Sequence, residues 1–248
     1  MRWTTALITA LWIFTSEITA VLLVVTTHPI SAFAQANQIS SGRPKRRKPG
    51  GRKGICQGDR TSGELTAIVP ERGDDVTASH SPAFFFFIPD AAQSSLKGIF
   101  RLQEHDRNVI APIPVSISGT PGIIKIQLPQ ALQKNQRYEW LFQITCGDEK
   151  AIGINGIVTF KEPSPSLTKQ LKSQISAREK ARLYQREGFA LDAIALLADA
   201  QAKDTNAQTD WKTLLRTLGL PELVQQPIAP CCTLPPYSQL PSKTKGDQ

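Results

Sequence analysis

At 248 residues, 40% hydrophobic and 20% charged, the chain has enough apolar material for one or two ordinary cores and is not disordered throughout. Its formal net charge of +8 is concentrated: Arg43, Lys45, Arg46, Arg47, Lys48, Arg52 and Lys53 fall within "GRPKRRKPGGRKGIC", and subtracting those seven leaves +1 for everything else. That distribution excludes a folded domain with a broad basic face, and the stretch has neither stacking aromatics nor a groove-entering helix, so no nucleic-acid partner is expected.

Residues 1–34 carry Arg2, run apolar except for Glu17, and end in Ala32-Phe33-Ala34 before Gln35. Small residues at both ends of that triplet are what a signal peptidase requires, so a signal peptide cleaved after Ala34 is expected. The alternative is an uncleaved membrane anchor over 6–25, which Glu17 would burden at mid-span. Either way the body crosses a membrane and is expected in the periplasm, on the envelope or outside the cell, with membrane contact only at the surface or through the uncleaved segment. Residues 35–54, rich in Gly and Pro, read as a flexible cationic leader able to contact an anionic surface. In an oxidising compartment Cys56, Cys146, Cys231 and Cys232 are disulfide candidates. Three pairings exist; Cys56 with Cys146 is preferred because each adjoins a predicted strand, while a vicinal Cys231–Cys232 bond and a bridge from that pair to the body stay open. With no Cys-x-x-Cys and with His28, His80 and His105 scattered, no metal site or cofactor is expected.

Between 55 and 162, short apolar or alternating runs closed by turn residues predict seven strands, over 65–69, 83–88, 97–103, 109–117, 122–128, 137–145 and 152–160. Pro112 and Pro114 suit an edge strand, because proline cannot donate to a ladder. "FFFF" at 84–87 reads as a strand buried on both faces, or else as a hydrophobic interface. Seven such strands suggest an antiparallel, immunoglobulin-like β-sandwich. Tyr138 opens the strand after "PQALQKNQ", where a tyrosine corner would place its hydroxyl back across the turn; a plain strand tyrosine is the alternative. Trp140 and Phe142 alternate with Glu139 and Leu141 and should face the core.

At Pro163 the pattern turns helical, and 163–220 is expected to hold three helices. Ser164 is a candidate N-cap with Pro165 at the first helical position, and the Leu167, Leu171, Ile175 spacing predicts a helix to about residue 187. Tyr184, Gly188 and Ala193 in "LYQREGFALDAIALLADA" have the spacing of a single tetratricopeptide-like unit, with Gly at the turn and Ala at the helix crossing. A third helix over 207–218 closes at Gly219 and Pro221. One repeat cannot bury its apolar face alone, so the helices should cap the β domain or dock a protein partner. Residues 221–248 form a Pro-rich tail without regular structure, disordered after about 233. The fold class expected is α+β.

The order of a signal segment, a basic Gly-rich leader ending at Cys56, "LTAIVP", "PAFFFFIP", "GTPGII", "RYEWLFQITC", "EPSPSL", "LYQREGFALDAIALLADA", "LLRTLGL" and "QQPIAPCC" resembles the cyanobacterial exported family known as domain of unknown function 928. The resemblance covers 43–232. It implies export, a β domain followed by helices, a shared cysteine arrangement and a basic leader, and it carries no activity, substrate or catalytic residue.

A nucleophilic triad would need His80 or His105 beside a carboxylate and a hydroxyl; Asp74, Asp75 and Asp106 are neighbours in sequence only. "GGRKG" lacks the strand, loop length and hydroxyl residue of a P-loop. The expectation is an exported, non-enzymatic binding or envelope-associated protein whose partner is an anionic envelope polymer or a protein. An adaptor working through the helices is the alternative, and a hydrolase of envelope polymers, with its two carboxylates undetected, a further one.

Overall fold

The computed structural model describes residues 47–49, 63–72, 75–89, 96–104, 109–117, 121–129, 131–145 and 151–229, all within the compact unit Ser31–Gln248. Residues 1–34, expected as a signal peptide, the four cysteines, His105, and Arg43, Lys45, Arg46, Arg52 and Lys53 lie outside the described residues. The fold is α+β: the described residues form eight strands in two sheets, followed by four helices.

Strands β1 (Thr66–Ala67), β3 (Ala83–Ile88) and β6 (Gly122–Gln127) form an antiparallel sheet in the order β1-β3-β6. The second sheet runs β2-β8-β7-β4-β5, built from β2 (Asp75–Thr77), β4 (Leu96–Glu104), β5 (Val109–Ile117), β7 (Arg137–Thr145) and β8 (Ile152–Phe160). The strand pairing is therefore not wholly antiparallel as expected: β2, an unpredicted strand, lies parallel to β8. Its three residues carry a buried aspartate where strand patterning calls for an apolar side chain. The Pro-bearing β5 sits at the sheet edge, where its missing N–H groups break no inner ladder.

The four phenylalanines of β3 divide by parity, as the two-residue period of a strand requires. Phe84 and Phe86 enter the core between the sheets with Phe100, Trp140 and Phe142, while Phe85 and Phe87 face a second core filled by the helices. Phe86 stacks on Phe142 at 4.4 Å, and Phe85 meets Trp211 at 6.4 Å. Buried alternation along β7 places Trp140 and Phe142 inward as expected, and Tyr138 with them.

The predicted long helix is two helices, α1 (Pro165–Leu171) and α2 (Ala177–Arg186). The break has a local cause: Ser176 and Glu179 form a capping box that starts α2 afresh, each satisfying the other's backbone N–H. Helices α3 (Ala190–Ala200) and α4 (Thr205–Thr217) follow, α4 starting at its N-cap Asp204. Gly188 at φ +82° and Gly219 at φ +72° end α2 and α4 in Schellman motifs, Phe189 N–H reaching the Tyr184 carbonyl and Leu220 N–H that of Leu215. Arg178 bonds Asp210 at 2.8 Å, tying α2 to α4. The Pro-rich segment is more regular than expected: Pro221–Leu223 makes a 3-10 turn, and Ile228 bridges Ile123 on the outer edge of β6.

Tyr138 is buried and its hydroxyl accepts the Gln133 N–H at 2.9 Å, back across the turn before β7. Tyr138→Phe is expected to cost about 1 kcal/mol in urea unfolding, the net worth of one such bond; an unchanged midpoint would mean the bond contributes nothing.

Candidate functional site

Two features stand out on the surface: a strap made by Arg47 and Lys48 within the leader, and a groove where α3 meets the first sheet. The strap is built by Arg47 and Lys48. The Ala67 N–H bonds the Arg47 carbonyl at 2.9 Å, which pairs the leader with β1. The Arg47 guanidinium donates to the carbonyls of Leu218 at 2.6 Å, Val69 at 3.3 Å and Gly219 at 3.4 Å. Carbonyls at a helix C-terminus have no intrahelical donor and carry partial negative charge, so a cation there satisfies both needs. Burial lowers the Arg47 pKa, and the carboxylates of Glu71 and Glu222 oppose that shift. Lys48 closes the strap with a 2.8 Å ion pair to Glu222. Two of the seven leader cations are thus engaged by the body instead of facing an outside surface.

The groove has a volume of about 290 Å³ and is lined by Ser79, Lys125, Gln127, Tyr184, Asp192 and Asp199 among others. Lys125 reaches across from β6 to both carboxylate oxygens of Asp199 on α3, at 2.7 and 2.8 Å. Asp192, in the first turn of α3, accepts the Ala78 N–H at 2.8 Å and so joins the helix to the residues after β2. Burial pushes the Asp192 carboxyl up to about 6, against the hydrogen bonds from Ala78, Thr77 and Ser79 that favour its ionised form. Tyr184 forms one wall, half-buried and edge-on to Phe189 at 5.9 Å; burial and the neighbouring Asp192 raise its pKa.

Because the folded state binds the Asp192 proton more tightly than an ordinary carboxyl of pKa 3.8, stability is gained as pH falls through about 6. The gain is complete near the ordinary value and absent well above 6, where the group is ionised in both states. Thermal unfolding of wild type and Asp192→Asn between pH 7 and 4 should diverge by about 2–3 kcal/mol in favour of wild type toward the acid end. Parallel curves would contradict the assignment.

Of the expected structural residues, Gly188 makes the α2–α3 turn and Ala193 lies fully buried on α3. The Trp140 indole N–H donates to the buried Asp75 at 3.1 Å. His80 is exposed, its ring on Phe160 at 4.1 Å and its Nδ1 3.2 Å from the Leu132 carbonyl, with no carboxylate in contact among the described residues. Among those residues no three His, Cys, Asp or Glu come together as metal ligands, and no helix is long and apolar enough to cross a membrane.

Fold and strap together define an α+β protein in which Arg47 and Lys48 fasten β1 to the end of α4 and the turn after it. A family model described as Domain of Unknown Function (DUF928) matches residues 48–228, most of the chain, and the chain belongs to that family. The matched region begins inside the strap at Lys48 and ends at the Ile228 bridge. None of the curated proteins matches the chain.

Proposed function

We propose that the chain is an exported, non-enzymatic binding protein whose cationic leader holds an anionic envelope polymer beside an immunoglobulin-like sandwich with a single tetratricopeptide-like helical unit. The strand orders β1-β3-β6 and β2-β8-β7-β4-β5, the β2–β8 parallel pair and the Tyr138 bond across the turn support the immunoglobulin-like reading. Gly188 at the α2–α3 turn and buried Ala193 support the helical one.

The observation that carries the function is the fixed departure point of the charged leader. Arg47 and Lys48 are spent on the body, and the reading assigns polyanion binding to Arg43, Lys45, Arg46, Arg52 and Lys53, through attraction that is weak per charge and salt-sensitive. Changing those five to Gln while keeping Arg47 and Lys48 should abolish retention of the full chain on envelope fractions at low salt. Unchanged retention would sink the reading. A second reading, docking of a protein partner through the helices, is favoured by the groove between β6 and α3; it predicts that Asp199→Lys abolishes a pull-down that the leader changes spare.

A further inference from the structure

We infer that the groove between β6 and α3 is a saccharide site, which seats one uncharged sugar ring beside Tyr184. The site is built wholly from the folded body and goes beyond the reading above, in which the leader's charges do the binding.

Charge compensation selects the ligand class. The charged side chains on the groove are Lys125, Asp192 and Asp199, and each is already matched from within the protein. Lys125 donates to both carboxylate oxygens of Asp199, and Asp192 takes hydrogen bonds from Ala78, Thr77 and Ser79. An ionic ligand would have to break one of these arrangements, leaving a group desolvated and unpaired. What remains over is neutral hydrogen-bonding capacity. Among the described residues the Tyr184 hydroxyl has no hydrogen-bond partner, and Gln127 donates through Nε2 to the Ser81 carbonyl while its Oε1 has none. The Asp199 side chain stays 60% exposed beside Lys125, so its carboxylate can accept from a ligand hydroxyl without leaving the pair.

Shape agrees with that chemistry. Between the polar groups the lining is apolar, from Pro82, Leu191, Ala195 and Leu196. A pyranose carries the same alternation, hydroxyls around its rim and C–H groups on its faces, and tyrosine offers an apolar ring with a polar tip to match it. Phe189, edge-on at 5.9 Å, packs against the Tyr184 ring. At ~30 Å³ per liquid water the 290 Å³ of the groove holds roughly ten waters, the space of about one sugar ring.

A protein partner suits the groove less well. Docking would cover and dry the Lys125–Asp199 pair, whose attraction need not repay that cost, whereas a sugar leaves the pair wet on one side and replaces water's hydrogen bonds on the other. A second cavity, of about 360 Å³ beside α1 and α2, has Arg182, Arg186 and Glu179 on its lining and no aromatic ring, so the same argument does not extend to it.

Isothermal titration calorimetry of the full chain with maltotetraose, cellotetraose and chitotetraose is the test. At least one is expected to bind with a Kd of about 0.1–1 mM, the range for a shallow site that seats one ring. For that sugar, Ala195→Leu, which fills the groove, should abolish binding. Tyr184→Phe, which keeps the ring and removes the hydroxyl, should weaken it about three- to tenfold. Changing Arg43, Lys45, Arg46, Arg52 and Lys53 to Gln should leave it unchanged. Circular dichroism checks that each variant is folded. No binding of any of the three sugars at about 5 mM, binding that survives Ala195→Leu, or binding lost with the leader charges would each overturn the saccharide site. If no sugar binds and Ala195→Leu abolishes capture of a protein instead, the groove belongs to the docking reading. Retention on envelope fractions tests the leader separately, so the two can fail independently.

Discussion

Phe86→Ala is expected to lower the stability of the chain by about 3–5 kcal/mol in urea unfolding, most of what a typical domain has to lose. Phe86 is fully buried between the sheets, stacked on Phe142 and packed at 5.8 Å against Trp140 and 6.2 Å against Phe100. Those rings belong to β7 and β4, strands in the middle of their own ladders, so the void cannot close by a simple side-chain shift. Phe85→Ala, one residue earlier, removes a ring from the opposite face, where Trp211 of α4 rests. A loss of similar size is expected there, because β3 is a single strand shared by both cores. If Phe85→Ala were near neutral, the helices would not be drawing on that face.

Gly156→Ala is expected to cost about 2–4 kcal/mol, far more than an added methyl on a strand usually does. Gly156 on β8 pairs with Trp140 on β7, and a Cβ there would lie 2.4 Å from Trp140 Cζ2 and 2.6 Å from Cε2. The ring cannot retreat freely, since Phe84 and Phe86 flank it and its N–H is bonded to Asp75. Displacing it would break a buried hydrogen bond as well as crowd the core. In the Gly156→Ala background, Trp140→Phe should cost much less than it does in the wild type, which a double-mutant cycle in thermal unfolding measures. Additive effects would contradict the contact.

The strands were largely legible because β positions reveal themselves by alternation and by the prolines and turns that close them. The two-sided burial of β3 could be read from four consecutive phenylalanines, but which residues cover each face could not. Strand β2 leaves no apolar signal in the sequence because Asp75, its first residue, is polar and yet buried against the indole of Trp140 at a sequence distance of 65. The restart of the helix at α2 does carry a local signal, Ser176 followed three residues later by Glu179. The strap had none: nothing in "KRRK" distinguishes Arg47 from its neighbours, since its acceptor at Leu218 is 171 residues away. Asp192 likewise needs Ala78, 114 residues earlier, before its place at the α3–β2 joint has meaning.

Strand β3, with the Arg47 strap and the Asp192 joint, should make the two sheets and the helices one cooperative body. Hydrogen exchange of the full chain, followed by peptide mass spectrometry across increasing sub-denaturing urea, measures the opening free energy of each segment. Peptides covering β3 and β7 and those covering α3 and α4 are predicted to merge into one common opening reaction. Release of α3 and α4 at a distinctly lower free energy, with β3 and β7 still protected, would contradict it.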